Sequence, residues 1–142
     1  MIVYYAHCQQ LYGTKQEQRD LETLRGFGFQ VTNPADDAYA KLAKTVKQVY
    51  ANPTTDEERA LVAPFADASE AVMQLVFRGL VCNCDALVFR ALPDGRISAG
   101  VAQEIAWASL LGKPVIELPT NLLSRTMTVD QTREYLRLVG QR

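Results

Sequence analysis

No stretch of this 142-residue chain stays apolar for anything near the roughly 20 residues that span a bilayer, so no membrane role is expected. Charge of one sign is missing too. Fifteen Lys and Arg stand against 16 Asp and Glu, for a net charge of −1. Without a basic block, binding to a nucleic-acid polymer through its phosphates is not expected. The opening MIVYYAHCQQ has no charged segment followed by a long apolar one, so it does not read as a signal peptide. Cysteine is scarce and odd in number: Cys8, Cys82 and Cys84. An odd count without an export signal points to reduced thiols and a cytoplasmic location. The expected strands put His7-Cys8 and Cys82-Asn83-Cys84 at opposite ends of a parallel sheet, where four ligands do not converge on zinc. No metal and no cofactor is expected, and Cys82 and Cys84 read as small buried hydrophobes.

What the chain does have is ordinary globular composition, 48% hydrophobic and 22% charged, with no repeat, linker or low-complexity segment. Its length suits one domain, residues 1–142. Apolar runs and amphipathic stretches alternate along it. Strands are predicted at Ile2 to Ala6, Phe27 to Thr32, Asp85 to Phe89 and Pro114 to Leu118. Helices are predicted from Tyr12 to Arg25 (stopped by Gly26), Ala35 to Tyr50, from Thr54-Thr55 up to Pro64, and Asp67 to Val81. A further helix runs from Ala99 to Leu111, and a last one follows the capping-box pair Thr128 and Gln131. This alternation predicts an α/β fold: a Rossmann-like open parallel sheet of four or five strands with helices on both faces. Ligands of such sheets sit beyond the carboxyl ends of the strands. Three segments qualify here, at residues 7–15, 33–37 and 90–100.

The helix of residues 99–111 carries the chemical question. Ser98 is a good N-cap, and Gly112 is placed to end the helix. Ala99, Gly100, Val101 and Ala102 leave the first turn nearly bare, so a ligand would reach the free backbone N–H groups, where the helix dipole favours anions. Glu104 lies on the same stripe as Gly100. On spacing alone it reads either as a carboxylate beside an anion cradle or as a residue on a solvent-facing seam.

The blocks CDALVF and SAGVAQEIAWASLLGKPVIEL resemble the signature of the nucleoside 2-deoxyribosyltransferase superfamily, which includes deoxynucleoside monophosphate N-glycosidases. The resemblance covers residues 82–118, with a looser match at Tyr12-Gly13-Thr14. It implies a single nucleoside 2-deoxyribosyltransferase-like domain. The implied activity is a hydrolase or transferase cleaving the N-glycosidic bond of (deoxy)nucleosides or their 5′-monophosphates. It casts Glu104 as nucleophile. The step of six residues from Ser98 to Glu104 is similar to the nucleotide-hydrolysing branch, whose serine touches the 5′-phosphate. His7, Tyr12, Gly13, Ser98, Ala99 and Gly100 are then the expected substrate contacts. Asp94 and His7 become candidates to protonate the departing base. Tyr4, Tyr5 or Tyr12 would hold Glu104 or stack on the base, if they are not core. Arg78, Arg90 and Arg96 would meet a phosphate, if they are not surface residues. The family's aspartate shortly before the third strand has no match in Val76-Phe77-Arg78-Gly79. The alternative is therefore a non-catalytic nucleotide or nucleotide-sugar binding protein of the same fold. The expected partner is a small nucleoside or nucleotide. A homodimer or higher homo-oligomer is expected from Val72, Met73, Leu75, Val76 and Phe77, more apolar surface than one thin sheet covers.

Overall fold

The computed structural model describes residues 1–123 and 125–141. Its strands are β1 (Ile2–Ala6), β2 (Gln30–Thr32), β3 (Ala86–Phe89) and β4 (Val115–Glu117). The helices are α1 (Lys15–Gly26), α2 (Asp37–Ala51), α3 (Asp56–Val62), α4 (Ala68–Val72), α5 (Arg78–Cys82), α6 (Ala99–Leu110) and α7 (Val129–Leu138). A π turn, Met73–Phe77, joins α4 to α5, and a 3₁₀ turn, Gln9–Leu11, follows β1. The strands form one parallel sheet in the order β2-β1-β3-β4, the open α/β architecture expected from the alternation.

The central strands are apolar at every position because helices cover both faces. Tyr4, Ala6 and Leu87 point to one face, where they pack with Val72, Val76, Phe77 and Val81 of the α4–α5 rod and with Val101, Trp107 and Ala108 of α6. Val3, Tyr5, Ala86 and Val88 point to the other, against Leu24 of α1 and Leu118. Val72, Val76 and Phe77 thus serve the chain's own core and Met73 packs against it, whereas Leu75 is 36% exposed. α2 lies outside α4. No described helix is long and apolar enough to cross a membrane.

Several boundaries move for local reasons. Thr14, not Tyr12, opens α1, its hydroxyl accepting the Glu17 N–H at 3.3 Å. Gly26 stays helical, while Gly28 takes φ +86° and turns the chain. The turn leaves Phe27 74% exposed and shortens β2 to three residues. Cys82, expected to be buried, is exposed at the end of α5, while Cys84 is buried with its thiol on the Thr32 hydroxyl. The Lys113 ammonium fills the space beside them. It donates to the carbonyl of Val81 at 3.1 Å and to those of Cys82 and Cys84, which caps α5 from another element.

Candidate functional site

The strand order reverses at β1, whose neighbours are β2 on one side and β3 on the other. In open α/β sheets a crevice forms beyond the carboxyl ends of strands at such a reversal. A cavity of about 580 Å³ occupies it, within the range of small-molecule sites. Its wall comes from the loop after β1 (His7, Cys8, Gln9, Gln10, Tyr12), Pro34 after β2, and the start of α6 (Ser98 to Val101, Gln103, Glu104). Asp67, Ser69 and Glu70 at the start of α4, with Met73, Gln74 and Phe77 of the π turn, complete it.

Glu104 is the central feature. Val101, Trp107 and Ala108 are core residues of α6, and Glu104 falls on their stripe at i+3, i−3 and i−4. The helix therefore carries the carboxylate inward, to 6% exposure, against β1. There the Tyr4 hydroxyl, itself fully buried, donates to Glu104 Oε2. A buried carboxylate favours its neutral form. Burial pushes the Glu104 carboxyl up to about 7, and the Tyr4 bond acts against that rise. Burial and the neighbouring Glu104 charge push the Tyr4 phenol well above its ordinary range, so it remains a donor. The solvent-seam reading of Glu104 does not hold.

The start of α6 has the form the sequence suggested. Ser98 is the N-cap, its Oγ accepting the Val101 N–H at 3.3 Å. Ala99 and Gly100 border the cavity, and a Cβ at Gly100 would meet only the Met73 methyl at 3.9 Å. Glycine is not demanded there by packing.

The first loop is built on His7. Its ring is buried and stacked on Tyr5 at 4.0 Å, with Tyr12 tilted against it at 4.8 Å. Its Nδ1 lies 3.1 Å from the Tyr5 carbonyl and its Nε2 2.6 Å from Glu17 Oε2. Both ring nitrogens thus have partners within the protein, while the residue itself borders the cavity. The other oxygen of Glu17 accepts the Gly13 N–H at 3.2 Å, and Gly13 holds φ +74°. Gly13 shapes the loop from outside the cavity wall. Tyr12 is on that wall, and burial raises its phenol, which keeps its proton at neutral pH.

Asp94 is not brought to the cavity. It sits exposed in the β3–α6 loop, where the Arg96 backbone N–H and guanidinium hold its carboxyl below the usual range. The arginines are spent elsewhere as well. Arg90 makes a bidentate pair with buried Asp20 at 2.6 and 2.8 Å and donates to the Pro119 carbonyl. Burial alone would raise Asp20, but bonds from Arg90, Tyr5 and Gln16 hold it low. Arg96 pairs with Asp94, and Arg78 at the start of α5 donates to Gln74 of the π turn before it. Among the described residues no Lys or Arg lines the cavity, whereas Asp67, Glu70 and Glu104 do.

The wall from α4 and the π turn is absent from the sequence reading. Asp67 as N-cap, with its Oδ1 accepting the Glu70 N–H at 2.8 Å, was the available signal for where that helix starts. Nothing local says that its first turn faces the same crevice as α6. The Asp85 carboxylate, next to β3, accepts the Ile2 N–H at 2.7 Å at the amino end of the sheet, away from the crevice. Among the described residues no group of three or more His, Cys, Asp or Glu is placed to hold a metal. Comparison with protein-family models, curated proteins and solved structures finds no match to this chain.

Proposed function

We propose that the crevice binds a nucleoside and that Glu104 acts on its N-glycosidic bond, in the manner of the nucleoside 2-deoxyribosyltransferase-like enzymes that residues 82–118 resemble. The observation that carries this reading is a carboxylate buried beside a cavity of ligand size at the strand-order reversal, with a single fixed donor, Tyr4. In the proposed step a Glu104 oxygen bonds the anomeric carbon as the carbon–nitrogen bond breaks. The electron pair goes to the departing base, which takes up a proton from solvent, and the water that later releases the sugar returns one. Water, or a second base, then releases the sugar from Glu104 by attack on the same carbon. Tyr12, which keeps its proton, donates a hydrogen bond to the base. With its nitrogens on Tyr5 and Glu17, His7 orders the loop; Asp94 lies outside the cavity.

The charge of the wall decides between ligand forms. A 5′-phosphate would meet the bare start of α6 but also Asp67 and Glu70, with no wall cation to offset them. The uncharged nucleoside is therefore the favoured ligand over its monophosphate. The free thiols Cys8, Cys82 and Cys84 fit a reducing, cytoplasmic compartment. The exclusion of Asp94 from the cavity favours a second reading, the non-catalytic nucleotide or nucleotide-sugar binder.

Incubation with a panel of nucleosides, deoxynucleosides and their monophosphates, with free base followed chromatographically, separates the two. Release of base by the wild type and not by Glu104→Gln is the expected result. Binding without release by either protein leaves the second reading standing, and no binding at all removes both.

A further inference from the structure

The cavity has ionisable groups of one sign on its wall. Asp67 and Glu70 at the start of α4 line it together with Glu104, and among the described residues no Lys or Arg does. One oxygen of each α4 acid is committed to its own helix. Asp67 Oδ1 accepts the Glu70 N–H and Glu70 Oε2 accepts the Ala66 N–H, both at 2.8 Å. Among the described residues nothing bonds the second oxygen of either. Glu104 Oε1 is also without a partner there. No fully buried side-chain oxygen or nitrogen among those residues goes unbonded, so that oxygen opens to the cavity. Two aromatic rings, Tyr12 and Phe77, belong to the same wall, and an aromatic face attracts a cation. Proton donors for a leaving group are missing. The Tyr4 hydroxyl is spent on Glu104, burial keeps the Tyr12 phenol protonated, both His7 nitrogens have partners, and the α4 acids act as acceptors. A neutral base leaving this cavity therefore draws its proton from solvent.

We infer that the crevice binds and cleaves nucleosides whose base carries a fixed positive charge. The charge arises from the glycosidic bond itself, as in a pyridinium riboside, or from alkylation of the ring, as in a 7-methylpurine nucleoside. The inference rests on the nucleoside reading proposed above and names its substrate class. A Glu104 oxygen bonds the anomeric carbon as the carbon–nitrogen bond breaks. The electron pair of that bond cancels the charge on the ring, so the base departs neutral and needs no proton. Water then attacks the same carbon, frees the sugar and the carboxylate, and gives its proton to solvent. Positive charge passes from base to sugar along the way and stays within an acidic wall. The missing wall cation, unfavourable for a 5′-phosphate, is what a cationic base requires.

Calorimetry with the N-riboside of nicotinamide, a pyridinium, against the C-riboside of benzamide isolates the charge, since the two share a shape. The pyridinium is expected to bind roughly tenfold tighter at low salt, with the gap shrinking as ionic strength rises. Asp67→Asn combined with Glu70→Gln keeps both backbone acceptors and should narrow that gap by about fivefold, because asparagine also caps a helix. Base release by the wild type should show a higher kcat/KM for the pyridinium riboside or for 7-methylguanosine than for uridine, inosine and their deoxy forms. Which cationic probe is preferred tells which ring the cavity takes. The double variant should lower the cationic-to-neutral ratio, and intrinsic lability, the same with both proteins, drops out of that comparison. A wild type that binds and cleaves neutral nucleosides as well as cationic ones overturns this inference and leaves the nucleoside reading standing. So does a preference that the double variant leaves unmoved. Binding of the pyridinium without release of its base overturns it together with the glycosidic chemistry, and no binding of any probe removes both readings.

Discussion

Replacing Glu104 by glutamine should make the protein more stable at pH 8 and leave it nearly unchanged at pH 5. The carboxyl of an unfolded chain releases its proton near 4.5, whereas burial holds the proton of folded Glu104 up to about 7. Between those values the folded chain binds a proton that the unfolded chain has lost. Stability therefore falls as pH rises through that window and levels off above it. A difference of this size, at 1.36 kcal/mol per pH unit, corresponds to about 3 kcal/mol at pH 8. Glutamine keeps the oxygen that accepts from Tyr4 and has no charge to desolvate, so it escapes that loss. Urea unfolding at pH 5 and pH 8 reads the effect directly. With m of about 2 kcal/mol/M, the variant's midpoint should exceed the wild type's by about 1.5 M at pH 8. At pH 5 the two midpoints should nearly coincide. Equal midpoints at both pH values would mean that Glu104 is solvated as a charge, and the account of its burial would be wrong.

Other perturbations separate chemistry from structure. If the proposed reaction is right, base release by the wild type rises with pH through about 7, as the Glu104 carboxylate forms. Glu104→Gln should then cut kcat by roughly 10³-fold or more while nucleoside affinity by calorimetry stays within about threefold. Tyr4→Phe removes the bond that lowers Glu104, so the midpoint of the pH–rate curve should move above 7. An unmoved midpoint would detach Tyr4 from the reaction. Arg90→Met strands Asp20 in the interior and should cost about 3–5 kcal/mol in urea unfolding. Lys113→Met, which uncaps α5 but touches nothing in the crevice, should cost about 1–3 kcal/mol and leave nucleoside affinity intact.

The layer architecture was legible because it rests on period and order. Four apolar runs separated by amphipathic helices leave little choice beyond a parallel sheet, and helix caps such as Ser98 and Thr128 announce themselves by local chemistry. The limits of strands were less legible. Phe27 looks like strand by composition, and only the positive φ of Gly28, set by how the chain re-enters the sheet, excludes it. Half of the candidate site could also be read. The bare start of α6 and its glutamate come from one contiguous segment, but spacing left Glu104 open between a carboxylate beside the cradle and a solvent-facing seam. Assigning roles to Asp94 and His7 needed tertiary partners that no spacing reveals: Arg96 holds one in solvent, and Tyr5 with Glu17 occupies both nitrogens of the other. The far wall from Asp67 to Phe77 depends on where one helix crosses another, a long-range property.

Among the described residues two carboxylates are buried, and the contrast between them shows what distinguishes Glu104. Asp20 accepts hydrogen bonds from Tyr5, Gln16 and both arms of the Arg90 guanidinium, and those donors hold it ionised despite burial. The fold therefore satisfies a buried acid fully where the acid serves packing, here tying α1 to the ends of β3 and β4. Glu104 is treated otherwise. Among the described residues it accepts from Tyr4, one donor, and the rest of its hydrogen-bonding capacity faces a cavity. Packing does not require this, because glutamine or leucine would fill the same stripe of α6 without the desolvation cost. An acid left short of donors, poised near neutrality and open to a ligand-sized space has the properties of a group that exchanges charge with what enters. That contrast, drawn within one molecule, is why Glu104 rather than the better-bonded Asp20 is the residue on which the proposed chemistry rests.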